Sequence, residues 1–306
     1  MKKNVLIIIL FFFFLGCSAY EFYDPTNATV DITYKQSLHE QSASKESYKQ
    51  KNATLFLEQQ NIEFWSLIIG ISEYKNQHIS NLNYSKKNLY FLLEKLKRSK
   101  YIINNQKNNK VLLNNEANYK NIRLALYDWL SNPIHQDIVL IYVNGYVFSG
   151  GDNFSDQFII PYDADPKHIS ATGISFRDIL YGLNEHTYSN NFIFVFDTFI
   201  YNKDNNKQFN NACKELANHD KCIAVIKSGS KDKELIYESK NSYSPLTYYL
   251  ALALNGKADK NNDDIITLYE IESYVSEEVR RHTKNRHTPY IYNNSEIDNS
   301  SIKMSN

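Results

Sequence analysis

Glycine and proline are scarce in this chain of 306 residues, at nine and six. That excludes collagen-like and Pro/Gly-rich low-complexity classes. Cysteine is scarcer still, at three, too few for a disulfide-dense scaffold or a four-cysteine zinc site. Neither sign of charge is in surplus, with 34 Lys+Arg against 34 Asp+Glu. A dedicated nucleic-acid binder would carry a basic excess, so nucleic acid is not expected as a partner. What is present is apolar material: 42% of residues are hydrophobic and 14% aromatic, which excludes a charged disordered chain.

The N-terminus reads as a targeting segment and is set aside before fold reasoning. Lys2 and Lys3 precede an unbroken apolar run, Val5 to Leu15. Eleven residues are too few for a spanning helix, which needs about 20, and fit a secretory h-region. The following Phe14-Leu15-Gly16-Cys17 resembles a bacterial lipobox. The expectation is therefore a signal peptide over 1–16, lipidation at Cys17, and a polar tether to about residue 60. The chain would be an exported lipoprotein held at a bacterial envelope membrane by its N-terminal lipid. Cys213 and Cys222 could pair in an oxidising compartment, or be two small buried residues.

From Trp65 the texture changes to apolar runs alternating with amphipathic stretches. Strands are expected at 65–71, 111–113, 137–143, 191–196 and 222–226. Helices are expected at 83–97, 118–130, 175–183, 245–254 and 267–281, with a hairpin between Phe148 and Ile160 around Gly150-Gly151. Ser175 is placed to cap its helix. This alternation predicts an α/β fold with a mostly parallel central sheet covered by helices on both faces. Functional residues then belong at the carboxyl ends of strands, after Val143 and after Phe196.

Several short motifs occur in order: Leu67-Ile-Ile-Gly-Ile-Ser-Glu-Tyr74, Asn81-Leu-Asn-Tyr84, Val111-Leu-Leu-Asn114, Tyr119-Lys-Asn-Ile-Arg123, Pro161-Tyr-Asp-Ala-Asp165 and Thr172-Gly-Ile-Ser175. With Leu254-Asn-Gly-Lys-Ala-Asp259 and Thr288-Pro289 further on, the chain from about 62 to 292 resembles the bacterial caspase-like (metacaspase-related) cysteine peptidases. The resemblance implies a caspase-like α/β/α sandwich over 61–293, followed by a polar tail over 294–306. It also implies hydrolysis by a Cys–His dyad, the His in a Gly-His-Gly turn after the third strand and the Cys in an Asp-[Ser/Thr]-Cys-His-Ser-Gly stretch after the fourth. Backbone amides near both would form the oxyanion hole.

At both places this sequence departs from the pattern. It reads Asn144-Gly145-Tyr146-Val147 and Asp197-Thr198-Phe199-Ile200-Tyr201-Asn202. Tyr146 stands at the histidine position and Phe199 at the cysteine position, while Val147 and Asn202 replace glycines. Phenylalanine has neither lone pair nor transferable proton, and tyrosine with a pKa of about 10 is a poor base at neutral pH. Cys213, Cys222, His135, His168, Thr198 and Ser149 are the remaining nucleophile or base candidates, and His135 and His168 read as lying near the functional end of the sheet. Asp197 is retained. In basic-specific members of the family an acid there helps line the pocket for a substrate Arg or Lys, so Asp197 is the substrate-pocket candidate, with a buried structural carboxylate as its other reading. Asp163 and Asp165 read as turn formers or as part of the family's loop.

One further motif has metal-ligand spacing. Asp259, Asn261, Asp263, the carbonyl of Ile265, Thr267 and Glu270 match positions 1, 3, 5, 7, 9 and 12 of an EF-hand loop, with Asp264 where glycine is usual. Calcium is the candidate ion, and no other cofactor is expected. The same Thr267-x-x-Glu270 is also a capping box. The functional expectation is a lipid-anchored caspase-like pseudopeptidase that binds a protein or peptide. The alternatives are a peptidase with a rearranged site and a structural envelope protein.

Overall fold

The computed structural model describes residues 62–82, 85–99, 106–151, 153–202, 206–228, 243–263, 265–293 and 303–305. Cys17, the signal segment and the tether lie outside the described residues, as do Asp264 and the side chain of Cys222. Gln50–Asn306 forms one compact unit that holds the whole sheet and both of its cores.

The central sheet has six strands in the order β2-β1-β3-β7-β9-β11. These are β1 (Phe64–Gly70), β2 (Asn109–Leu113), β3 (Ile138–Asn144), β7 (Asn191–Phe196), β9 (Cys222–Lys227) and β11 (Tyr290–Asn293). The first five run parallel and β11 pairs antiparallel at the edge. The inner strands are buried on both faces, as unbroken apolar runs require. In β7, Phe192, Phe194 and Phe196 enter one core, while Ile193 and Val195 enter the other.

The first core is closed by α2 (Tyr119–Tyr127), α3 (Phe176–His186) and α4 (Asn206–Ala217). It is aromatic at its centre: Phe176 stacks on Phe196 at 5.4 Å, and Phe209 meets Phe196 edge-on at 5.7 Å. The second core is closed by α1 (Ser85–Arg98), α5 (Pro245–Leu252) and α6 (Leu268–His282), and is mostly aliphatic. Gly70 lets α1 lie directly on β1, since a Cβ there would stand 1.7 Å from Cδ1 of Leu89. Ser175 caps α3 and Thr267 caps α6, each in a reciprocal capping box with the residue three further on.

The hairpin is formed by β4 (Tyr146–Ser149) and β5 (Gln157–Ile159), which join β6 (Ile174–Ser175) and β8 (Phe199–Ile200) in a small sheet ordered β6-β5-β4-β8. A last pair links β10 (Ile265–Thr267) to β12 (Lys303–Ser305). Strand β12 lies within the segment expected as a polar tail. Its Lys-Met-Ser sequence is too short to carry a strand period.

Candidate functional site

Strands β3 and β7 are parallel neighbours with Val143 opposite Phe196, so the chains leaving them emerge side by side at the carboxyl end. The ladder continues past the sheet. The N–H groups of Asp197, Phe199 and Tyr201 donate to the carbonyls of Val143, Gly145 and Val147 at 2.9, 3.0 and 2.8 Å. Tyr146 and Phe199 thus become direct partners in the parallel pairing of β4 with β8. Two positions 53 residues apart in sequence, singled out from the resemblance, are adjacent in space.

What they offer is an aromatic cluster. The Tyr146 ring meets Phe199 edge-on at 6.0 Å, Tyr201 at 5.7 Å and Tyr74 at 5.6 Å. The Tyr146 N–H donates to the Tyr74 hydroxyl at 2.8 Å. Burial pushes the Tyr146 phenol above its ordinary pKa, with the neighbouring Tyr201 adding to the shift, so it stays protonated and does not serve as a base near neutral pH. Burial raises Tyr74 as well. The Phe199 N–H is spent on the Gly145 carbonyl. Asn202 staples β4 from the other side: its carboxamide oxygen accepts from Ser149 N–H at 3.0 Å and its amide nitrogen donates to the Ser149 carbonyl. The Asn202 side chain therefore performs the bonding of a short strand.

Asp197 is fully buried. Its Oδ2 accepts from the hydroxyls of Thr247 and, at 3.4 Å, Tyr142. Its carbonyl accepts from Nδ2 of Asn144 at 2.7 Å. Burial raises its pKa, and the hydroxyls of Ser244, Thr247 and Tyr142 pull it partly back. Among the described residues Oδ1 of Asp197, Oδ1 of Asn144, Oγ1 of Thr198 and the Ser244 hydroxyl have no well-formed hydrogen bond.

The other candidates are dispersed. Cys213 is a free, buried thiol whose pKa burial pushes up to about 12; it is an inert core residue, not a nucleophile. His135 precedes β3 and so lies at the amino end of the sheet, bonded to the Tyr188 carbonyl at 3.2 Å. This corrects the expectation that His135 lies near the functional end of the sheet: a residue directly before a strand belongs to that strand's amino end. His168 is exposed and pairs with Asp165 at 2.8 Å. Asp165 Oδ1 also accepts from Lys167 N–H, and Asp163 caps Tyr119 N–H at 2.8 Å, so both aspartates act as turn and cap acceptors.

In the EF-like loop the oxygens serve the loop itself. Asp263 N–H donates to Oδ1 of Asp259 and of Asn261, and Ile265 N–H donates to Oδ1 of Asp263. Oε2 of Glu270 accepts from both the N–H and the hydroxyl of Thr267 at 2.8 Å. Among the described residues no group of three or more His, Cys, Asp or Glu side chains is arranged to hold a metal ion.

The α/β sandwich, with five parallel strands, an antiparallel edge and helices on both faces, is a caspase-like fold. The caspase-domain family profile covers residues 64–299, well over half of the chain, and the chain belongs to that family. No curated protein matches the chain. Among solved structures it is similar to a protein from Geobacter sulfurreducens, at 10% identity and a TM-score of 0.53, over 79% of this chain and 97% of that one. It is also similar to caspase-1 from Spodoptera frugiperda, at 10% identity and a TM-score of 0.46, over 76% and 86%. At 10% identity the likeness to the Geobacter protein concerns the fold alone.

Two features of the crest were missed at the sequence level: the β4–β8 pairing and the Asn202 staple. The apolar–polar texture of Phe199-Ile-Tyr-Asn202 directly after a strand was the available signal, too short to stand out by periodicity.

Proposed function

We propose that this protein is a membrane-tethered caspase-fold module that works by binding and does not hydrolyse peptides. The observation that supports this reading is the direct pairing of Tyr146 with Phe199, with the Phe199 amide committed to the Gly145 carbonyl. Acyl transfer needs a nucleophile, a base within hydrogen-bond reach and free donors for the developing oxyanion. A phenyl ring, a phenol held above its ordinary pKa and a committed amide supply none of these. Asp197 is enclosed by Thr247 and Tyr142, so its nearest role is to tie the crest to α5. Tethering rests on the sequence Phe14-Leu15-Gly16-Cys17.

Cleavage of a mixed peptide library by residues 50–306 tests the catalytic half of the proposal. Silence from the wild type is expected. Turnover by the wild type overturns the reading and directs attention to Cys222. Incorporation of labelled fatty acid by the full chain, lost in Cys17→Ser, tests the tether.

A further inference from the structure

Helix α1 differs from the rest of this charge-neutral chain. Five of its six charged side chains are cationic, and its only acid, Glu94, is paired with Arg98 at 3.0 Å. The compensating negative charge lies elsewhere in the chain. Leu89, Leu92 and Leu96 bury one side of α1 in the second core, which leaves the lysines on the outer side. There a shallow groove of about 470 Å³ is lined by Lys86, Lys87, Tyr90, Phe91, Glu94 and Tyr243.

A cluster of rings underlies the groove. Phe91 stands 4.5 Å from Tyr243 and 5.1 Å from Tyr248, nearly parallel to the latter at 9°, and the two tyrosines stand 5.8 Å from each other. Lysine ammonium groups roof it: Nζ of Lys87 stands 4.7 Å from the Tyr243 centroid and Nζ of Lys95 stands 5.3 Å from that of Phe91. Tyr90 projects beside them, 53% exposed. Amphipathic rings flanked by long-stemmed cations form the composition that settles at the boundary between headgroups and acyl chains.

We infer that the outer face of α1, with Tyr243 and Tyr248 of the adjoining segment, docks flat on an anionic lipid surface. Charge complementarity selects the lysines' partner, and the rings supply the apolar contact that a purely electrostatic site lacks. A neutral protein has no long-range attraction to such a surface as a whole, so segregating cations on one helix also fixes the orientation. The α2–α3 face then points away from the membrane and is left open to other partners. The inference adds an orientation to the tethered module proposed above but uses no lipid anchor, so the two fail separately.

Residues 50–306, the self-contained unit without the lipidation site, are mixed with vesicles of phosphatidylcholine alone or of phosphatidylcholine with phosphatidylglycerol, and sedimented. Binding is expected only with phosphatidylglycerol and should weaken as salt rises. A lysine near an anionic surface contributes about a fivefold factor in affinity, so Lys86→Glu/Lys97→Glu should lose at least about 20-fold. Lys207→Glu/Lys214→Glu, an equal charge change on exposed positions of α4, should retain at least most of the binding. Equal binding to neutral vesicles, equal losses in the two variants, or no binding to either vesicle overturns the inference. So does tighter binding to a single-stranded oligonucleotide than to the anionic vesicles, because stacked rings and lysines also suit that ligand.

Discussion

Two buried aspartates sit at opposite ends of neighbouring strands, Asp137 directly before β3 and Asp197 directly after β7, and they are treated differently. Asp137 is saturated. Its Oδ1 accepts from Glu63 N–H at 3.0 Å, and its Oδ2 accepts from the Trp65 indole at 3.0 Å and from Ile134 N–H at 2.8 Å. Asp197 has hydroxyl donors on one oxygen and no well-formed bond on the other, beside further polar atoms in the same condition. Buried polar groups are almost always bonded, and the exceptions concentrate where a fold once had, or still has, something to do besides hold together. Asp137 serves the amino end of the sheet as a saturated structural acceptor. Around Asp197 the carboxyl end keeps buried polar atoms without a well-formed bond.

The largest expected effect lies at the amino end. Asp137→Ala strands two backbone N–H groups and an indole N–H at the start of β1 and β3. At about 1–3 kcal/mol for each orphaned buried donor, partly relieved by water at Glu63, the unit should lose about 3–5 kcal/mol in urea unfolding. That is a large share of the stability of a domain of this kind. A loss below about 1 kcal/mol would mean that these bonds are dispensable, and the contrast between the two ends would collapse.

At the carboxyl end the response should depend on pH. Burial raises the Asp197 pKa, so its folded form holds a proton that the unfolded chain releases. The favourable balance is present in full below the ordinary carboxylate pKa and is lost as pH rises through the raised folded value. Asp197→Asn cannot ionise and should escape that decline. Its stability relative to wild type should therefore grow from pH 4 toward pH 8. Parallel pH profiles for the two proteins would show that Asp197 titrates normally and is not the desolvated group its burial makes it.

Much of the sheet was legible in the sequence, because a strand buried on both faces must be apolar throughout: 191–196 was read with the bounds the structure gives. The two crest positions, Tyr146 and Phe199, were legible only through the resemblance, since nothing in their local pattern singles them out. The antiparallel edge strand β11 and the short strands β6, β8, β10 and β12 were not read. Pairs of two or three residues rest on backbone hydrogen bonds and leave no periodicity. The basic face of α1 was also hidden, because a balanced total of 34 and 34 says nothing about where the charges lie. Phe91, Tyr243 and Tyr248 come together only once α1 and α5 pack.

The smallest expected effect is the sharpest test of the contrast. Thr198 is buried next to Asp197, and among the described residues its hydroxyl has no hydrogen-bond partner. Threonine to valine normally costs stability in a core because a bonded hydroxyl is lost. Where the hydroxyl is unbonded, the same change removes a desolvated polar group and puts a methyl of similar size in its place. Thr198→Val should therefore be neutral to within about 0.5 kcal/mol, or slightly stabilising. A loss of more than about 1 kcal/mol would show that the hydroxyl is bonded, through water or otherwise. The surroundings of Asp197 would then be as fully satisfied as those of Asp137, and the contrast between the two aspartates would be lost.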